Sequence, residues 1–223
     1  VEVGPGLGVL TRALLAAKAD LTAIELDRDL AEFIREEHPE VRLVEADALR
    51  VDLDEACPGT GWKVVANLPY NVGTRLVLAW VDQPQRFESL TVMLQKEVVD
   101  RILAEPGTRA YGSLTVQMRA RSTARLVCSV PPQAFYPPPK VDSAVVQLFP
   151  HAPELGGVDV KHFDRVVRAA FAQRRKTLRN ALSALFPREQ IDEVLDELNI
   201  EPRIRGEMLD WQTYRSIAAA LTE

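Results

Sequence analysis

The sequence predicts an α/β fold, with a mostly parallel sheet covered by helices on both faces and a small all-α domain at the C terminus. Three observations lead to this prediction. Short, nearly continuous apolar runs alternate with amphipathic stretches before residue 100, which is typical of strands buried between two helical layers. Residues 151–158 contain Pro and Gly, as linkers do. Every periodic segment after this linker is helical. We therefore predict an α/β domain over residues 1–154 and a helical domain over 155–223.

The individual strands and helices follow in chain order from the same patterns. Predicted strands are runs rich in Val, Ile and Leu, and predicted helices are the amphipathic stretches between them. The strands cover residues 1–3, 21–25, 41–45, 62–67, 89–94 and 141–149, and the helices cover 11–18, 28–37, 72–81 and 95–104. Residues 114–130 predict a helix and then a strand, and the prolines of 131–139 connect it onward because proline cannot donate to a strand ladder. After the linker, the predicted helices cover 163–186, 188–198 and 211–221.

The composition excludes several classes of protein. The 223 residues are 47% hydrophobic and 26% charged, and no apolar run approaches the ~20 residues of a membrane span. Cys57 and Cys128 lack a CxxC partner and a nearby histidine pair, so zinc ligation is not indicated. We expect a reduced, cytoplasmic protein with no metal and no membrane contact.

A glycine-rich segment, Val-Glu-Val-Gly-Pro-Gly-Leu-Gly, occupies residues 1–8 directly before the first predicted helix. Glycines allow a sharp strand-to-helix turn and let a ligand approach the backbone closely. The spacing differs from the dinucleotide fingerprint, because Val9 stands where the third glycine would be. This difference disfavours a nicotinamide dehydrogenase. Taken alone, the segment is weak evidence for a ligand, because a tight strand-to-helix turn without a ligand also explains it.

Two carboxylates follow the next two predicted strands. Glu25 ends the second strand, 21 residues after Gly4, where an acidic residue reaches ribose hydroxyls in this architecture. Asp47 follows the third strand, and its carboxylate can accept a hydrogen bond from an adenine amino group. Taken alone, either carboxylate is more simply explained as a solvated charge at the end of a strand. Together with the glycine turn they predict a Rossmann-like site for an adenosine-containing cofactor, because open α/β sheets bind ligands outside the carboxyl ends of their strands.

The segment Asn67-Leu68-Pro69-Tyr70 ends the fourth predicted strand. Pro69 forces Leu68 into an extended conformation, so that the Asn67 amide and the neighbouring carbonyls can converge as acceptors. Such acceptors suit the amine of adenine, since holding its two hydrogens favours the nucleophilic form of a delocalised nitrogen. Tyr70 offers a face for a flipped base, a contact worth about 1–3 kcal/mol. The segment therefore predicts chemistry on an adenine amine.

Two further features favour RNA as the partner. Residues 135–140 form a rigid, proline-rich loop that presents Phe135, although a core position for this ring explains the pattern equally well. Residues 161–179 carry seven Lys or Arg against one acid, a local charge of +6, and residues 109–125 add four arginines without an acid. Clustered cations on a protein of net charge −5 are typical of phosphate contact, whereas a single charged helix face is usually only solvated.

These motifs resemble those of the S-adenosylmethionine-dependent rRNA adenine dimethyltransferases, and among them the small-subunit, KsgA-type group. The resemblance extends from Val1 to about Tyr214 and implies a class I methyltransferase sheet. The segments that carry it are residues 4–8, 25–27, 47–48, 67–70, 95–98, 135–143 and 174–180.

The resemblance implies a monomeric, metal-independent enzyme that methylates adenines of small-subunit ribosomal RNA within the pre-ribosomal small subunit. The implied cofactor residues are Gly4 (methionine part), Glu25 (ribose), Asp47 (adenine), Gly6, Leu26, Ala48 and Asn67. Asn67 and the backbone of Leu68 and Pro69 are implied to hold the target amine, with Tyr70 and Phe135 stacking on the base. The implied RNA-binding residues are Lys140, Arg174, Arg175, Lys176 and Arg179.

One departure from the family pattern and two alternatives bear on this interpretation. In the family a basic segment with a Gln-Asn-Phe-Leu-like motif precedes the first strand, whereas this chain starts at Val1. We therefore expect it, as given, to bind S-adenosylmethionine weakly and to methylate poorly. The related large-subunit methyltransferase that confers macrolide resistance is disfavoured by the basic segment and the Phe135 loop. A non-catalytic RNA-binding factor on the same fold is disfavoured by the converging acceptors at Asn67.

Overall fold

The computed structural model describes residues 1–173 and 175–221, which form two compact units. The first unit comprises residues 1–99 and 123–152. Its strands are β1 (Glu2–Val3), β2 (Thr22–Glu25), β3 (Arg42–Glu45), β4 (Trp62–Asn67), β5 (Phe87–Gln95), β6 (Ser122–Val130) and β7 (Ser143–Pro150). Its helices are α1 (Val9–Ala16), α2 (Arg28–Glu37), α3 (Leu53–Ala56), α4 (Gly73–Val81) and the beginning of α5 (Lys96–Leu103).

The sheet of the first unit is built from two ladders that meet at β1 and β4. One ladder runs β3-β2-β1 and the other β4-β5-β7-β6. The carbonyl of Val1 accepts a hydrogen bond from the amide of Val65 at 2.8 Å, so β4 continues the sheet beside β1. All pairs among β1 to β5 are parallel, whereas β7 is antiparallel to β5. The strand order therefore reverses between β1 and β4, where open α/β sheets bind ligands. This topology confirms the predicted fold class.

Local signals explain why the strand and helix predictions before residue 100 are confirmed to within a few residues. Helix α2 begins where the Asp27 carboxylate accepts hydrogen bonds from the amides of Asp29 and Leu30, at 3.0 and 3.1 Å. Its apolar face buries Ala31 and Ile34. The four-residue helix α3 was not predicted, because it is too short to show a helical period.

The second unit comprises residues 100–122 and the described residues from 153 to 221. It contains the end of α5 and the helices α6 (Ser113–Arg119), α7 (Val160–Phe171), α8 (Leu178–Leu182), α9 (Arg188–Glu197) and α10 (Trp211–Ala220). The predicted domains, 1–154 and 155–223, differ from these units in where they assign 100–122. Helix α6 packs against α7 and α10, a long-range contact that local periodicity does not reveal. The predicted domain boundary between residues 154 and 155 stays a prediction.

Two tyrosine hydroxyls lie inside the core of the second unit. Tyr111 donates to the carbonyl of Leu209 and Tyr214 donates to the carbonyl of Gly206, both at 2.8 Å. Burial raises the pKa of Tyr111 to about 12 and raises the pKa of Tyr214 well above its usual value. Both rings therefore serve as neutral packing residues with satisfied hydroxyls.

The prediction of one helix over residues 163–186 is wrong. Helix α7 ends at Phe171 and α8 begins at Leu178. The side chain of Thr177 caps α8 by accepting from the amide of Asn180 at 3.4 Å, and the Leu178 amide donates to the carbonyl of Ile204 at 2.8 Å. This last bond joins distant parts of the chain, so the helical period of the sequence does not indicate it.

The predicted cationic patch over residues 109–125 is also wrong in part. Arg121 is only 1% exposed, and its guanidinium donates to the Asp164 carboxylate at 2.8 Å and to the Gln117 carbonyl at 2.9 Å. Arg119 donates to the carbonyl of Ala104 at 2.8 Å. A buried, paired arginine cannot contact phosphate. The number of surface cations predicted over residues 109–125 is therefore too high. None of the described helices is long and apolar enough to cross a membrane.

Candidate active site at the carboxyl edge of the sheet

The glycine turn, the carboxylates Glu25 and Asp47 and the Asn67 segment lie at one edge of the sheet, where β1 to β4 end. Val1 lies between two residues of β4, because its nitrogen donates to the Lys63 carbonyl at 2.6 Å and its carbonyl accepts from Val65. Counting forward along these parallel strands, Gly4 comes level with Asn67. Neighbouring strands lie about 4.8 Å apart. The glycine turn and the Asn67 segment therefore begin side by side.

The glycine turn follows β1 directly and combines left-handed backbone with open space. Gly4, Gly6 and Gly8 have φ values of +65°, +57° and +74°, which residues other than glycine rarely adopt. A Cβ at Gly4 or Gly6 would meet no atom within 4 Å, so both positions border open space. A Cβ at Gly8 would lie 2.9 Å from Nε2 of His38. The first two glycines thus leave room for a ligand, whereas Gly8 allows close packing within the fold.

The Glu25 carboxylate holds the turn and the end of β2 together. Its Oε1 accepts from the amides of Leu26 and Asp27 at 2.8 and 3.0 Å, and its Oε2 accepts from the amide of Gly6 at 3.4 Å. The residue is 7% exposed. A carboxylate has about four acceptor positions, and three donors are accounted for here. Oε2 therefore retains capacity for a hydroxyl from a ligand that approaches the turn.

Leu26 and Asp47 extend this surface along the ends of β2 and β3. The Leu26 side chain is 67% exposed although it is apolar, so it offers an apolar surface beside Glu25. The Asp47 carboxylate accepts from the amide of Leu49 at 2.9 Å and pairs with Arg50 at 3.7 Å. Ala48 next to it is half-buried. The two strand ends thus present an apolar side chain and a partly solvated carboxylate.

The Asn67 segment is anchored on both sides while Asn67 itself is exposed. Leu68 is 1% exposed, and its amide donates to the carbonyl of Met93 at 3.3 Å. The carbonyl of Pro69 accepts from the amides of Val72 and Gly73 at 3.2 and 2.9 Å, where α4 begins. Both lone pairs of the Pro69 carbonyl are therefore used within the fold. Asn67 lies at the surface beside this anchored backbone.

The two predicted stacking rings occupy different settings. Tyr70 is 37% exposed, and its hydroxyl lies 2.7 Å from the hydroxyl of Ser143 at the start of β7. Phe135 is half-buried in the loop between β6 and β7. Its amide donates to the Pro132 carbonyl at 3.1 Å. The intermediate exposure of Phe135 excludes a fully buried position for this residue.

The predicted RNA-binding residues differ in how strongly they are engaged. Lys140, Arg175 and Lys176 are exposed. Arg179 forms a two-pronged ion pair with the Asp192 carboxylate, which holds the pKa of that carboxyl below its usual value. Arg174 lies outside the described residues. The charge of Arg179 is thus already paired within the fold.

Glu2 is a buried charged residue in β1, directly before the glycine turn, and the sequence analysis did not identify it. Glu2 in β1 is 1% exposed and accepts a hydrogen bond from the Thr11 hydroxyl at 2.7 Å. His38 is 9% exposed and packs against Gly8. The available signal for Glu2 was a charged residue inside the apolar run of residues 1–3. Its partners are distant in sequence.

Burial raises the pKa of Glu2, and the Thr11 hydrogen bond offsets part of that rise. Native Glu2 therefore holds its proton to a higher pH than the unfolded chain does, and its contribution to stability is lost as the pH rises through the native pKa. We expect Glu2→Gln to match the unaltered protein near pH 4 and to be the more stable of the two at pH 7, because the glutamine side chain is neutral at both pH values. Urea unfolding across this pH range measures the difference. Glu36→Gln, on the exposed face of α2, is the control, and a destabilised Glu2→Gln at pH 7 would contradict the prediction.

No group of three or more His, Cys, Asp or Glu that could hold a metal ion occurs among residues 1–173 and 175–221.

Comparison with known proteins identifies the family. The sequence model of the family described as ribosomal RNA adenine dimethylase matches residues 1–222. Two proteins named ribosomal RNA small subunit methyltransferase A, from Thiobacillus denitrificans and Caulobacter vibrioides, are each 46% identical to 99% of this chain, which covers 86% and 85% of their lengths.

Solved structures agree with the sequence comparison. A dimethyladenosine transferase from Plasmodium falciparum is 25% identical with a TM-score of 0.81, covering 97% of this chain and 86% of that one. The 23S rRNA methyltransferase ErmE is 28% identical with a TM-score of 0.69, covering 99% and 89%. Both are methyltransferases, which confirms the predicted methyltransferase sheet and the resemblance found in the sequence motifs. The chain belongs to the ribosomal RNA adenine dimethylase family.

Proposed function

We propose that this chain transfers methyl groups from S-adenosylmethionine to the exocyclic amines of adenines in small-subunit ribosomal RNA, giving N6,N6-dimethyladenosine during small-subunit maturation. The observation that carries the proposal is the level position of Gly4 and Asn67 on neighbouring parallel strands. A methyl donor held at the glycine turn and an amine held at Asn67 would be adjacent. Membership in the adenine dimethylase family supports the same reaction.

S-adenosylmethionine fits the glycine turn, and when bound it supplies an electrophilic methyl group on a sulfonium centre. The open space beside Gly4 and Gly6 accommodates its methionine part next to the backbone. The remaining acceptor capacity of Glu25 suits the ribose hydroxyls. Asp47 is assigned to the adenine amine, and the exposed Leu26 side chain to the face of the adenine ring. The full set assigned to the cofactor is Gly4, Gly6, Glu25, Leu26, Asp47, Ala48 and Asn67.

The Asn67 amide oxygen and the Leu68 carbonyl are assigned to the two hydrogens of the target amine. These oxygens hold the amine so that its lone pair points towards the glycine turn. Positive charge would develop on the amine nitrogen as the methyl carbon leaves the cofactor sulfur, releasing S-adenosylhomocysteine, and the same fixed oxygens would stabilise that charge until the nitrogen loses a proton to solvent. Pro69 contributes through its effect on the backbone rather than through its carbonyl. A second transfer on the same nitrogen gives the dimethylated base.

Tyr70 and Phe135 are assigned to stacking on the flipped adenine. Tyr70 is held by its hydroxyl while its ring stays partly exposed. Stacking worth about 1–3 kcal/mol per base offsets part of the few kcal/mol that unstacking a nucleotide costs. Asn67, Leu68, Pro69, Tyr70 and Phe135 together form the proposed catalytic segment.

The partner that we propose is ribosomal RNA within the pre-ribosomal small subunit, bound by a monomer in the cytoplasm. The exposed cations Lys140, Arg175 and Lys176 support an electrostatic contribution to docking. Identities of 46% to two proteins named ribosomal RNA small subunit methyltransferase A support the small subunit as the source of the RNA.

We expect the double variant Arg175→Gln and Lys176→Gln to bind small-subunit RNA about tenfold more weakly and to reduce the slope of log affinity against log salt by about 2. Both side chains are exposed, so their charges are available to phosphate. Arg179→Gln is the matched comparison, because its charge is already paired with Asp192, and it should change the affinity by less than about threefold. Filter binding at several salt concentrations measures both. Equal losses of RNA affinity in the double variant and in Arg179→Gln would refute the distinction between exposed and ion-paired cations.

The function itself is tested by incubating the protein with isotopically labelled S-adenosylmethionine and undermethylated small ribosomal subunits, then analysing the RNA nucleosides by mass spectrometry. We expect label in N6,N6-dimethyladenosine. Large subunits, tested in parallel, should remain unlabelled. Label in large-subunit RNA alone, or in a nucleoside other than a methylated adenosine, would overturn the proposal.

A further inference from the structure

Ser143 is a fully buried residue at the first position of β7, and its side chain faces the candidate site. It is 0% exposed, and its hydroxyl lies 2.7 Å from the hydroxyl of Tyr70, 73 residues away in sequence. A buried hydroxyl is costly unless it is hydrogen-bonded. The bond to Tyr70 therefore satisfies Ser143 and joins β7 to the segment that carries Asn67.

The backbone around Ser143 is fixed by the sheet. Ser143 pairs with Gln95 in the antiparallel ladder between β5 and β7. The carbonyl of Asp142, the residue before it, accepts from the amide of Lys96 at 2.9 Å. The Ser143 hydroxyl is thus presented from a rigid element of the scaffold rather than from a loop.

The ring of Tyr70 depends on that hydroxyl for its orientation. Tyr70 follows Pro69, whose backbone is anchored where α4 begins, so the Cα end of the side chain is already placed. The χ1 torsion of a side chain has three staggered wells, and Tyr70 is 37% exposed. Rotation about χ1 swings the ring and carries its hydroxyl away, so the hydrogen bond at the far end of the ring holds the ring axis in one direction.

We infer that Ser143 is a positioning residue for methyl transfer, whose hydroxyl holds the ring of Tyr70 in the orientation on which the flipped adenine stacks. The inference rests on the proposed function, because it assigns a role to the stacking surface of that site. A base resting on a ring held in one χ1 rotamer reaches the Asn67 oxygen in one orientation, whereas a base on a ring that changes rotamer reaches it only part of the time. The effect should therefore appear in turnover more than in cofactor binding.

The test compares Ser143→Ala, Tyr70→Phe and the double variant, each of which removes the same hydrogen bond. We expect either single change to lower kcat about fivefold to tenfold, the effect of one buried hydrogen bond. The KM for S-adenosylmethionine should stay within about twofold of its original value. The double variant should be no slower than the slower single variant, because both changes break one interaction. Tyr70→Phe keeps the ring and lies at a partly exposed position, so it tests the inference even where Ser143→Ala folds poorly.

Ser122→Ala is the matched control. Ser122 is 4% exposed, and its hydroxyl donates to the Met118 carbonyl at 3.0 Å, so this change also removes a buried serine hydrogen bond. We expect a loss of stability with unchanged kcat. Effects of Ser143→Ala and Tyr70→Phe that multiply in the double variant, or a kcat within twofold for Tyr70→Phe, would overturn the inference. If Asn67→Ala still abolished transfer in that case, the proposed function would stand, whereas unchanged transfer by Asn67→Ala would overturn the proposed site itself.

Discussion

Asn67→Ala should lower the rate of adenine methylation by about 10²–10³-fold, the scale for removing one preorganised polar group that stabilises charge in a transition state. The Asn67 side chain is exposed at the end of β4 and level with the glycine turn. Its amide oxygen is assigned to the amine hydrogen, so truncation removes both orientation and charge stabilisation. Binding of the small subunit should change little, because phosphate contacts supply most of the affinity. Single-turnover methylation and filter binding measure the two quantities separately.

Two variants make this result specific to the oxygen of Asn67. Asn71→Ala removes an exposed asparagine four residues further on and should leave the rate within about twofold. Asn67→Asp keeps an oxygen acceptor and should retain more activity than Asn67→Ala, although its charge alters the site. Methylation by Asn67→Ala at the original rate would remove the mechanism proposed for the site. A parallel loss of subunit binding would point instead to a structural role.

Glu25→Ala should weaken S-adenosylmethionine binding about 100-fold or more, because hydrogen bonds to charged groups contribute about 1.5–3 kcal/mol each. Truncation removes the proposed ribose acceptor. It also leaves three backbone amides, those of Gly6, Leu26 and Asp27, without their partner. The turn that borders the cofactor then loses its connection to β2. Isothermal titration calorimetry against the unaltered protein measures the affinity, and urea unfolding measures the accompanying loss of stability.

Glu36→Ala, on the exposed face of α2, provides the control for charge and for helix content and should bind the cofactor as the unaltered protein does. Glu25→Gln separates the two roles of the carboxylate, because it retains one oxygen for the backbone amides while its NH2 group cannot accept a hydrogen bond. We expect its stability to lie closer to that of the unaltered protein than its cofactor affinity does. Affinity within threefold for Glu25→Ala would exclude Glu25 from the cofactor site.

The parts of the fold that the sequence predicts well are those held by local interactions. Strand β4 and helix α2 have the predicted bounds, because apolar runs and the Asp27 cap act over a few residues. The single helix predicted over residues 163–186 is divided into α7 and α8, and the Leu178 amide bonds to the carbonyl of the distant Ile204, a contact that no local period indicates. Arg121 was counted as a surface cation for the same reason, since its partner Asp164 is 43 residues away.

The sequence by itself determined the α/β class, the order of the strand-end motifs and the family to which they belong, because each is written in contiguous residues. Tertiary structure alone decided which of those groups remain available to a ligand. The Pro69 carbonyl already accepts two backbone hydrogen bonds at the start of α4, and Arg179 forms an ion pair with Asp192. Ser143 meets Tyr70 only because β7 runs antiparallel beside β5. Acceptors and charges of one segment bond to groups of segments that are remote along the chain. Only the packed structure therefore shows which of them a ligand can still reach.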